Sequence, residues 1–158
     1  MSTPQKTSAG LILYRRREGT LQVFLVHPGG PFWKDKEDGA WTIPKGGVQE
    51  GEDFLTAAKR EFQEETGLTP KEPYLSLHPI RQRSGKIVHA WAFESDCEPG
   101  QVQSNPFTME WPPHSGRMCE FPEIDRAAFW SLEQAKRKIN PAQIALLEEL
   151  QGKIVSAS

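Results

Sequence analysis

Aliphatic and polar residues alternate near the start of the chain in a pattern that predicts two strands. These strands cover 8–14 (SAGLILY) and 21–27 (LQVFLVH), and the polar residues 15–20 join them. A loop rich in Gly, Pro and Asp follows over 28–39, and 41–44 (WTIP) predicts a further short strand. The start of the chain is therefore expected to contribute mainly to a sheet.

The apolar period changes to that of a helix at residue 53. Residues 53–66 carry apolar side chains every three to four positions, and Gly67 is expected to end the helix in a left-handed conformation. Glu61, Glu64 and Glu65 fall on the apolar side of this helix. The apolar residues interleaved with them are Phe54, Ala57, Ala58 and Phe62. An ordinary amphipathic helix would turn its glutamates to solvent instead.

The remainder of the chain predicts a hairpin, a segment with little pattern, and two more helices. Strands over 74–83 and 86–95 meet at the turn Ser84-Gly85. The proline-rich segment 99–122 contains one short strand at 107–111. The order then continues with a strand over 127–131, a helix over 132–139, and a final helix that Asn140-Pro141 opens and that runs to about Gln151.

Length and composition indicate one globular domain. Strands and helices mix without a regular strand–helix–strand alternation, so the predicted fold class is α+β (mixed α/β). The 158 residues can bury a single sizeable core, and the domain is expected to span 1–158. The hydrophobic fraction of 37% and the charged fraction of 25% are ordinary for such a domain.

The charge balance and the cysteines narrow the setting. A formal net charge of −2 provides no broad basic surface, so neither nucleic acid nor membrane is expected as a partner. The N-terminal stretch MSTPQKTSAG lacks the apolar core of a signal peptide, and the longest apolar runs are too short to span a bilayer. Cys97 and Cys119 show no metal-ligand spacing, which favours a cytoplasmic location. A monomer and a homodimer are both compatible with the sequence.

The glutamates on the apolar side of the helix point to a bound cation. Like charges three and four positions apart destabilise a helix by about 0.2–0.5 kcal/mol per pair. Partial burial adds a cost that only protonation, ion pairing or a metal offsets. Ligation by carboxylate oxygens suits Mg²⁺ or Mn²⁺. The alternative is a solvated, salt-bridged surface helix, which the inward direction of the glutamates disfavours.

The segment GGVQEGEDFLTAAKREFQEETGL (46–68) resembles the signature of the Nudix hydrolase superfamily. The chain supplies each signature residue, namely Gly46, Glu52, Arg60, Glu61, Phe62, Glu64, Glu65, Gly67 and Leu68. The resemblance implies an αβα sandwich with a mixed, curved sheet between helices. It also implies Mg²⁺-dependent hydrolysis of a phosphoric anhydride in a small-molecule nucleotide substrate.

The resemblance further implies roles for the residues of this box. Glu64 and Glu65 are the implied metal ligands, Glu61 is either a ligand or the base that activates water, and the backbone carbonyl of Lys45 is an additional ligand. The water is expected to attack one phosphorus in line, while the metal neutralises charge on the phosphate oxygens.

Four further box residues are expected to hold this site in shape. Arg60 is the natural partner of a neighbouring carboxylate, which it would orient through charge-assisted hydrogen bonds. Glu52 either braces the start of the helix or joins the ligands. Gly46 permits a tight loop in which the backbone can approach a metal, and Gly67 ends the helix.

A general base outside the box is a further candidate. Many relatives in the resembled family place a glutamate in a loop beyond the central hairpin, and this chain offers Glu110, Glu120 and Glu123 there. Glu123 precedes a segment that is similar to the acidic loop of diadenosine tetraphosphate hydrolases, so Glu123 and then Glu120 are favoured. The alternative is that each is a solvated loop residue.

Substrate recognition is less well defined by the sequence. The segment WTIPKG (41–46) is similar to the entry of the diadenosine tetraphosphate hydrolase and diphosphoinositol polyphosphate branches. Lys45, Arg81 and Arg83 are candidate phosphate contacts, and Trp41 could stack a base. The tyrosine that marks diadenosine tetraphosphate hydrolases and the proline that marks ADP-ribose hydrolases are both absent at their usual distances past the box.

Two classes of function follow. The leading hypothesis is a Nudix pyrophosphohydrolase that acts on a dinucleoside polyphosphate or a nucleoside triphosphate, with ADP-ribose and diphosphoinositol phosphates as alternatives. The second is a catalytically silent Nudix-fold module that senses a nucleotide. Because such modules commonly lose box carboxylates and this chain keeps them, the enzyme is favoured.

Overall fold

The computed structural model describes residues 7–157 and consists of nine strands and three helices within that range. The strands are β1 (Thr7–Arg17), β2 (Thr20–Pro28), β3 (Lys45–Gly47), β4 (Leu75–Ser76), β5 (Ile80–Arg81), β6 (Ile87–Glu94), β7 (Pro106–Glu110), β8 (Met118–Pro122) and β9 (Ile124–Ser131). The helices are α1 (Phe54–Thr66), α2 (Leu132–Lys138) and α3 (Ile144–Ala157).

Seven strands form one mixed sheet. Its main order is β4-β6-β1-β2-β9, while β3 pairs with β1 and β5 pairs with β6. β1 and β6 run parallel from Thr7↔Ile87 to Tyr14↔Glu94, and the other pairs in the sheet are antiparallel. β7 and β8 form a separate hairpin beside the sheet.

Helices cover both faces of the sheet, which confirms the αβα sandwich. On one face α1 places Ala57, Ala58 and Phe62 against side chains of β1, β2 and β6. On the other face α2 and α3 bury an aliphatic core. Its helical members are Ala135, Leu146, Leu147 and Leu150. The period of two along the strands explains why alternate residues such as Leu11 and Ile12 enter opposite cores.

The entry into the box differs from the sequence prediction. The strand expected at 41–44 lies instead at β3, while Trp41 and Thr42 make only isolated bridges to Ile139 and Val26. Pro44 has no N–H to donate to a ladder, although its carbonyl accepts a hydrogen bond from the Leu11 N–H at 3.2 Å. Continuous pairing with β1 therefore starts at Lys45.

The later elements also show two corrections. The strand predicted over 74–83 is broken into β4 and β5, and the His78 N–H between them donates to Glu149 Oε1 at 2.7 Å instead of to a strand. The last helix begins and ends later than predicted. A 3-10 turn at Pro141–Gln143 precedes it, and α3 continues to Ala157. The predicted helix 53–66, the short strand near 107–111 and the last strand are confirmed within a few residues.

Predictions about the ends of the chain lie partly outside the described residues. The absence of an apolar leader in the first six residues and the exact limits of the domain belong to this group. Between residues 7 and 157, no helix is long and apolar enough to cross a membrane.

Candidate active site

Helix α1 starts and stops at well-defined caps, which fixes the positions of its carboxylates. The Asp53 side chain accepts a hydrogen bond from the Thr56 N–H at 3.2 Å, as an N-cap residue does. At the other end Gly67 adopts φ 75°, and its N–H donates to the Gln63 carbonyl at 2.8 Å. Burial of Phe62 against the sheet then sets the rotation of the helix.

Arg60 lies at the centre of the polar side of the site. Its guanidinium holds Glu52 through two hydrogen bonds, from Nε to Oε2 at 2.8 Å and from Nη2 to Oε1 at 3.0 Å. Nη1 donates to Glu61 Oε1 at 2.8 Å and to Glu64 Oε2 at 3.1 Å, and Nη2 also reaches the Gly47 carbonyl at 3.0 Å. The planar guanidinium group of Arg60 therefore connects the loop before α1 to two carboxylates of the helix.

Glu61 is seated directly on the backbone of Gly46. A Cβ added at Gly46 would lie 1.9 Å from Glu61 Oε2 and 2.1 Å from its Cδ. The side chain of Glu61 is only 14% exposed. Any side chain at position 46 would therefore force the Glu61 carboxylate out of this place.

A cavity of about 420 Å³ opens beside Glu65, the next carboxylate along the same side of α1. Its polar lining consists of Lys45, Glu65, Glu123 and Thr42. Lys45 comes from β3 and Glu65 from the last turn of α1, whereas Glu123 comes from the bend between β8 and β9. The fold thus places carboxylates from two distant parts of the chain around one space.

The crowding of charges changes the protonation of the site. Burial raises the pKa of Glu65 to about 8, and the neighbouring carboxylates Glu123 and Glu61 act in the same direction. Burial also raises the pKa of Glu61, although the hydrogen bond from Arg60 opposes that shift. The pKa of Lys45 is lowered by burial and then by the positive charge of Lys86. A cation among these carboxylates would offset both the cost of desolvating them and their mutual repulsion.

The outward direction of Glu64 corrects one prediction. Glu61 and Glu65 lie toward the sheet as expected, but the Glu64 side chain is 46% exposed and follows Arg60 along the helix surface. Phe54 is also 40% exposed, and its ring stacks on His89 at 4.1 Å between centroids. The apolar side of α1 is therefore narrower than the sequence pattern indicates.

The donor atoms fit a hard divalent cation by type. Glu61, Glu64 and Glu65 offer carboxylate oxygens only, and two of them carry raised pKa values that a nearby cation would lower. Across residues 7–157, no three His, Cys, Asp or Glu side chains already converge on a single point. The three glutamates would thus have to adjust their rotamers to share one ion.

Several residues predicted for substrate binding do not line this cavity. Trp41 is 2% exposed and packs edge-on against His27 and Trp130, each at 5.3 Å between ring centroids. It belongs to the core and offers no free face to a base. Arg81 on β5 and Arg83 in the following turn are exposed, and β5 reaches β3 only by way of β6 and β1.

Of the two glutamates predicted as a base outside the box, only Glu123 lines the cavity. Glu120 is exposed on β8, where it pairs with Thr108 of β7. The Glu123 backbone is held on both sides, because its N–H donates to the Asn105 carbonyl at 3.0 Å and its carbonyl accepts from the Gly29 N–H at 2.8 Å.

Several residues of the cavity were not identified by sequence reasoning as part of a site. Phe107 and Thr42 both line it. The sequence offered two signals for Phe107, namely the alternation of apolar residues in 106–110 and the consecutive glycines 29 and 30. Neither signal predicts that the hairpin packs on this loop, so neither identifies Phe107 as part of the site.

Comparison with known proteins points to one family. A family model described as the NUDIX domain matches residues 4–150. An RNA pyrophosphohydrolase of Caulobacter vibrioides is 46% identical over 89 residues, which are 53% of this chain and 44% of that protein. A bis(5'-nucleosyl)-tetraphosphatase (asymmetrical) of Caenorhabditis elegans is 37% identical over 71 residues, 45% of this chain and 46% of that protein. The chain thus spans less than half the length of these curated relatives.

Solved structures share the fold over almost the whole chain. A binary complex of the C. elegans Ap4A hydrolase has a TM-score of 0.65 and 24% identity, and the match covers 97% of this chain and 99% of that one. The NUDIX domain of Shewanella oneidensis NrtR, complexed with ADP ribose, has a TM-score of 0.68 and 15% identity, with 97% and 90% covered. At such identities the likeness establishes the fold alone.

Proposed function

The chain belongs to the Nudix family, and from this premise we propose that it is a divalent-metal-dependent pyrophosphohydrolase. Its substrate is a nucleoside polyphosphate derivative, with a dinucleoside polyphosphate or a nucleoside triphosphate preferred. The observation that carries this proposal is the glutamate cluster: Glu61 is fixed by Arg60 and Gly46, and Glu65 and Glu123 share a cavity with the cation of Lys45.

In this proposal Glu61, Glu64 and Glu65 hold Mg²⁺ or Mn²⁺, together with the carbonyl of Lys45. A bound divalent ion supplies charge neutralisation at the phosphate oxygens and lowers the pKa of the attacking water. Arg60 keeps Glu61 in one rotamer, and the Lys45 ammonium group faces the phosphate chain. The site is thus arranged to bind charge that develops on a phosphoryl group.

Glu123 is the preferred general base. Glu61 already accepts a hydrogen bond from Arg60 at 2.8 Å and is pressed against Gly46, whereas the Glu123 side chain lines the open cavity. Glu123 would accept the proton of the water that attacks phosphorus. A Glu123→Gln variant is then expected to lose kcat with little change in KM, while the matched Glu120→Gln variant on β8 keeps its activity.

The proposal is tested by hydrolysis of a panel of phosphoanhydrides with and without Mg²⁺. The panel contains diadenosine polyphosphates, nucleoside triphosphates, ADP-ribose and diphosphoinositol phosphates. Because a relative is named an RNA pyrophosphohydrolase, a 5'-triphosphorylated RNA oligonucleotide is included. Turnover of any nucleotide that requires Mg²⁺ supports the enzyme, and the relative rates identify the substrate.

Removal of one proposed metal ligand provides a second test of the proposed function. Glu64→Gln keeps the shape of the side chain but weakens cation binding, so it should reduce kcat/KM by roughly 10–100-fold or more. Glu50→Gln, at an exposed glutamate in the turn before α1, is the matched control. Normal hydrolysis by Glu64→Gln would contradict the metal assignment.

The alternative is a Nudix module that binds a nucleotide without turning it over. The NrtR domain of the structural comparison is complexed with ADP ribose, so nucleotide binding by this fold is a distinct outcome to measure. Tight binding of ADP-ribose or a nucleoside triphosphate, with no Mg²⁺-dependent product from any member of the panel, would replace the enzyme by this module.

A further inference from the structure

An aromatic side chain from outside the box forms part of the cavity wall. Phe107 of β7 lines the same space of about 420 Å³ as Lys45, Glu65 and Glu123. The rest of the wall is largely apolar, with Val26, Pro28, Ile43 and Ile124. A volume of this size lies within the range of small-molecule sites. The cavity therefore combines charged groups for phosphate chemistry with an aromatic surface.

Two glycines fix the position of that aromatic ring. A Cβ at Gly30 would lie 2.8 Å from Phe107 Cζ, so the ring rests on the bare backbone of the loop after β2. A Cβ at Gly29 would lie 1.9 Å from the Pro122 carbonyl oxygen, at the end of the same hairpin. The Gly29 N–H also donates to the Glu123 carbonyl at 2.8 Å. The loop thus holds Phe107 and Glu123 in place together.

The hairpin supports the ring from its other side. Phe121 of β8 lies opposite Phe107 in register, and their ring centroids are 5.9 Å apart. Phe121 supports Phe107 but does not line the cavity. Phe107 itself is half-buried, so its ring keeps accessible surface on the cavity side. A buried aromatic that served packing alone, such as Trp41, has no such surface.

We propose that Phe107 is the platform on which the aromatic base of the nucleotide substrate stacks, and so a specificity-determining residue. This inference rests on the proposed function, since the same cavity has to hold the phosphates near Lys45 and Glu65. A nucleobase offers a π face to the phenyl ring. A phosphorylated inositol has no such face, so the wall selects nucleotides over diphosphoinositol phosphates.

Kinetics with and without a base test the proposal directly. Phe107→Ala is expected to raise KM for the preferred nucleotide by roughly 5- to 150-fold, the range found for loss of one stacked base. Hydrolysis of inorganic tripolyphosphate, which carries no base, should change less than twofold. Met118→Ala is the matched control, because Met118 is an exposed apolar residue of the same hairpin that does not line the cavity.

Binding of AMP separates this inference from the proposed function. AMP contains no phosphoanhydride, so calorimetry in Mg²⁺ buffer reports base binding even if the protein hydrolyses nothing. The wild type should bind AMP more tightly than ribose 5-phosphate, and Phe107→Ala should lose that difference. If Phe107→Ala keeps the difference, or the wild type shows none, the inference is overturned whether or not hydrolysis occurs. Phe107-dependent AMP binding without turnover of any phosphoanhydride would instead overturn the proposed function alone.

Discussion

At the residue scale, the absence of a single side chain defines the site. Gly46 leaves the room that the Glu61 carboxylate occupies, and Arg60 holds the carboxylate there at 2.8 Å. Neighbouring Gly47 offers a contrast, since a Cβ added to it would meet no atom within 4 Å. Of the two adjacent glycines in β3, only Gly46 therefore leaves space for a proposed metal ligand.

This contrast gives a matched pair of variants. Gly46→Ala should displace Glu61 and reduce Mg²⁺-dependent kcat/KM by roughly 10–100-fold, as disturbance of the groups around metal ligands does. Gly47→Ala should stay within about twofold of the wild type, because its new methyl group points into open space. Hydrolysis rates over a Mg²⁺ titration measure the effect, and circular dichroism verifies the fold of both proteins. Equal activities of the two variants would contradict the role given to Gly46.

The same scale shows what the sequence can and cannot assign. The box residues were found because their spacing is local: Arg60, Glu61 and Glu65 lie on consecutive turns of one helix. Trp41 was placed at the substrate because its sequence context resembles a family entry, yet it packs between His27 and Trp130. Whether an aromatic ring is covered depends on strands far away in the chain, which no local pattern reveals.

At the element scale, α1 was predicted well because both of its ends carry their own signals. Asp53 caps the N-terminus, and Gly67 takes the left-handed conformation at the C-terminus. The strand over 74–83 carried a local signal for its interruption in Pro79, which has no N–H to donate to a ladder. The neighbouring His78 N–H is taken up by Glu149 of α3 at 2.7 Å. Local chemistry thus marks where an element can end, whereas a distant partner such as Glu149 is visible only in the folded structure.

Two glycines, one at the C-terminal cap of α1 and one inside α3, are expected to change the free energy of unfolding in opposite directions when replaced by alanine. Gly67→Ala should destabilise the protein by about 1–2 kcal/mol, because an L side chain is strained at the left-handed φ of 75°. Gly152→Ala should stabilise it by about 0.5–1 kcal/mol, since Gly152 lies exposed within α3 with no atom near a new Cβ. Urea denaturation measures both free energies of unfolding. A loss of stability at both positions would show that volume, not backbone conformation, controls these sites.

At the scale of the whole molecule, the cavity of the candidate site is assembled from segments distant in sequence. Lys45 and Glu65 come from the box, whereas Phe107 and Glu123 come from the hairpin and the bend after it. The sequence predicts the proposed reaction from the box that contains the first pair. It left the substrate open because the second pair meets the first only after β9 has paired with β2 and the hairpin has packed on Gly29 and Gly30.

Exposed carboxylates also connect distant elements, and they make stability depend on pH. Asp96 accepts hydrogen bonds from Arg15 Nη1 at 2.7 Å and from Arg17 Nη2 at 2.9 Å, and these bonds lower the pKa of Asp96 to about 2. Glu37, in the loop after β2, is held by Arg126 of β9, and the hydrogen bond from Arg126 lowers the pKa of Glu37 to about 2. In the unfolded chain both carboxyl groups are expected to have pKa values of about 4.

The sign of the pH effect follows from these two pKa values. Because each folded pKa lies below its unfolded value, the stabilisation is fully present above about pH 4–5 and is lost as the pH falls toward 2. The double variant Glu37→Gln/Asp96→Asn should therefore be less stable than the wild type at pH 7, and the difference should shrink steadily below pH 4. Urea denaturation at a series of pH values measures it, and added NaCl should reduce the difference because the pairs are exposed. A difference that stays constant from pH 7 to pH 2.5 would mean that the two substitutions act through packing and not through charge.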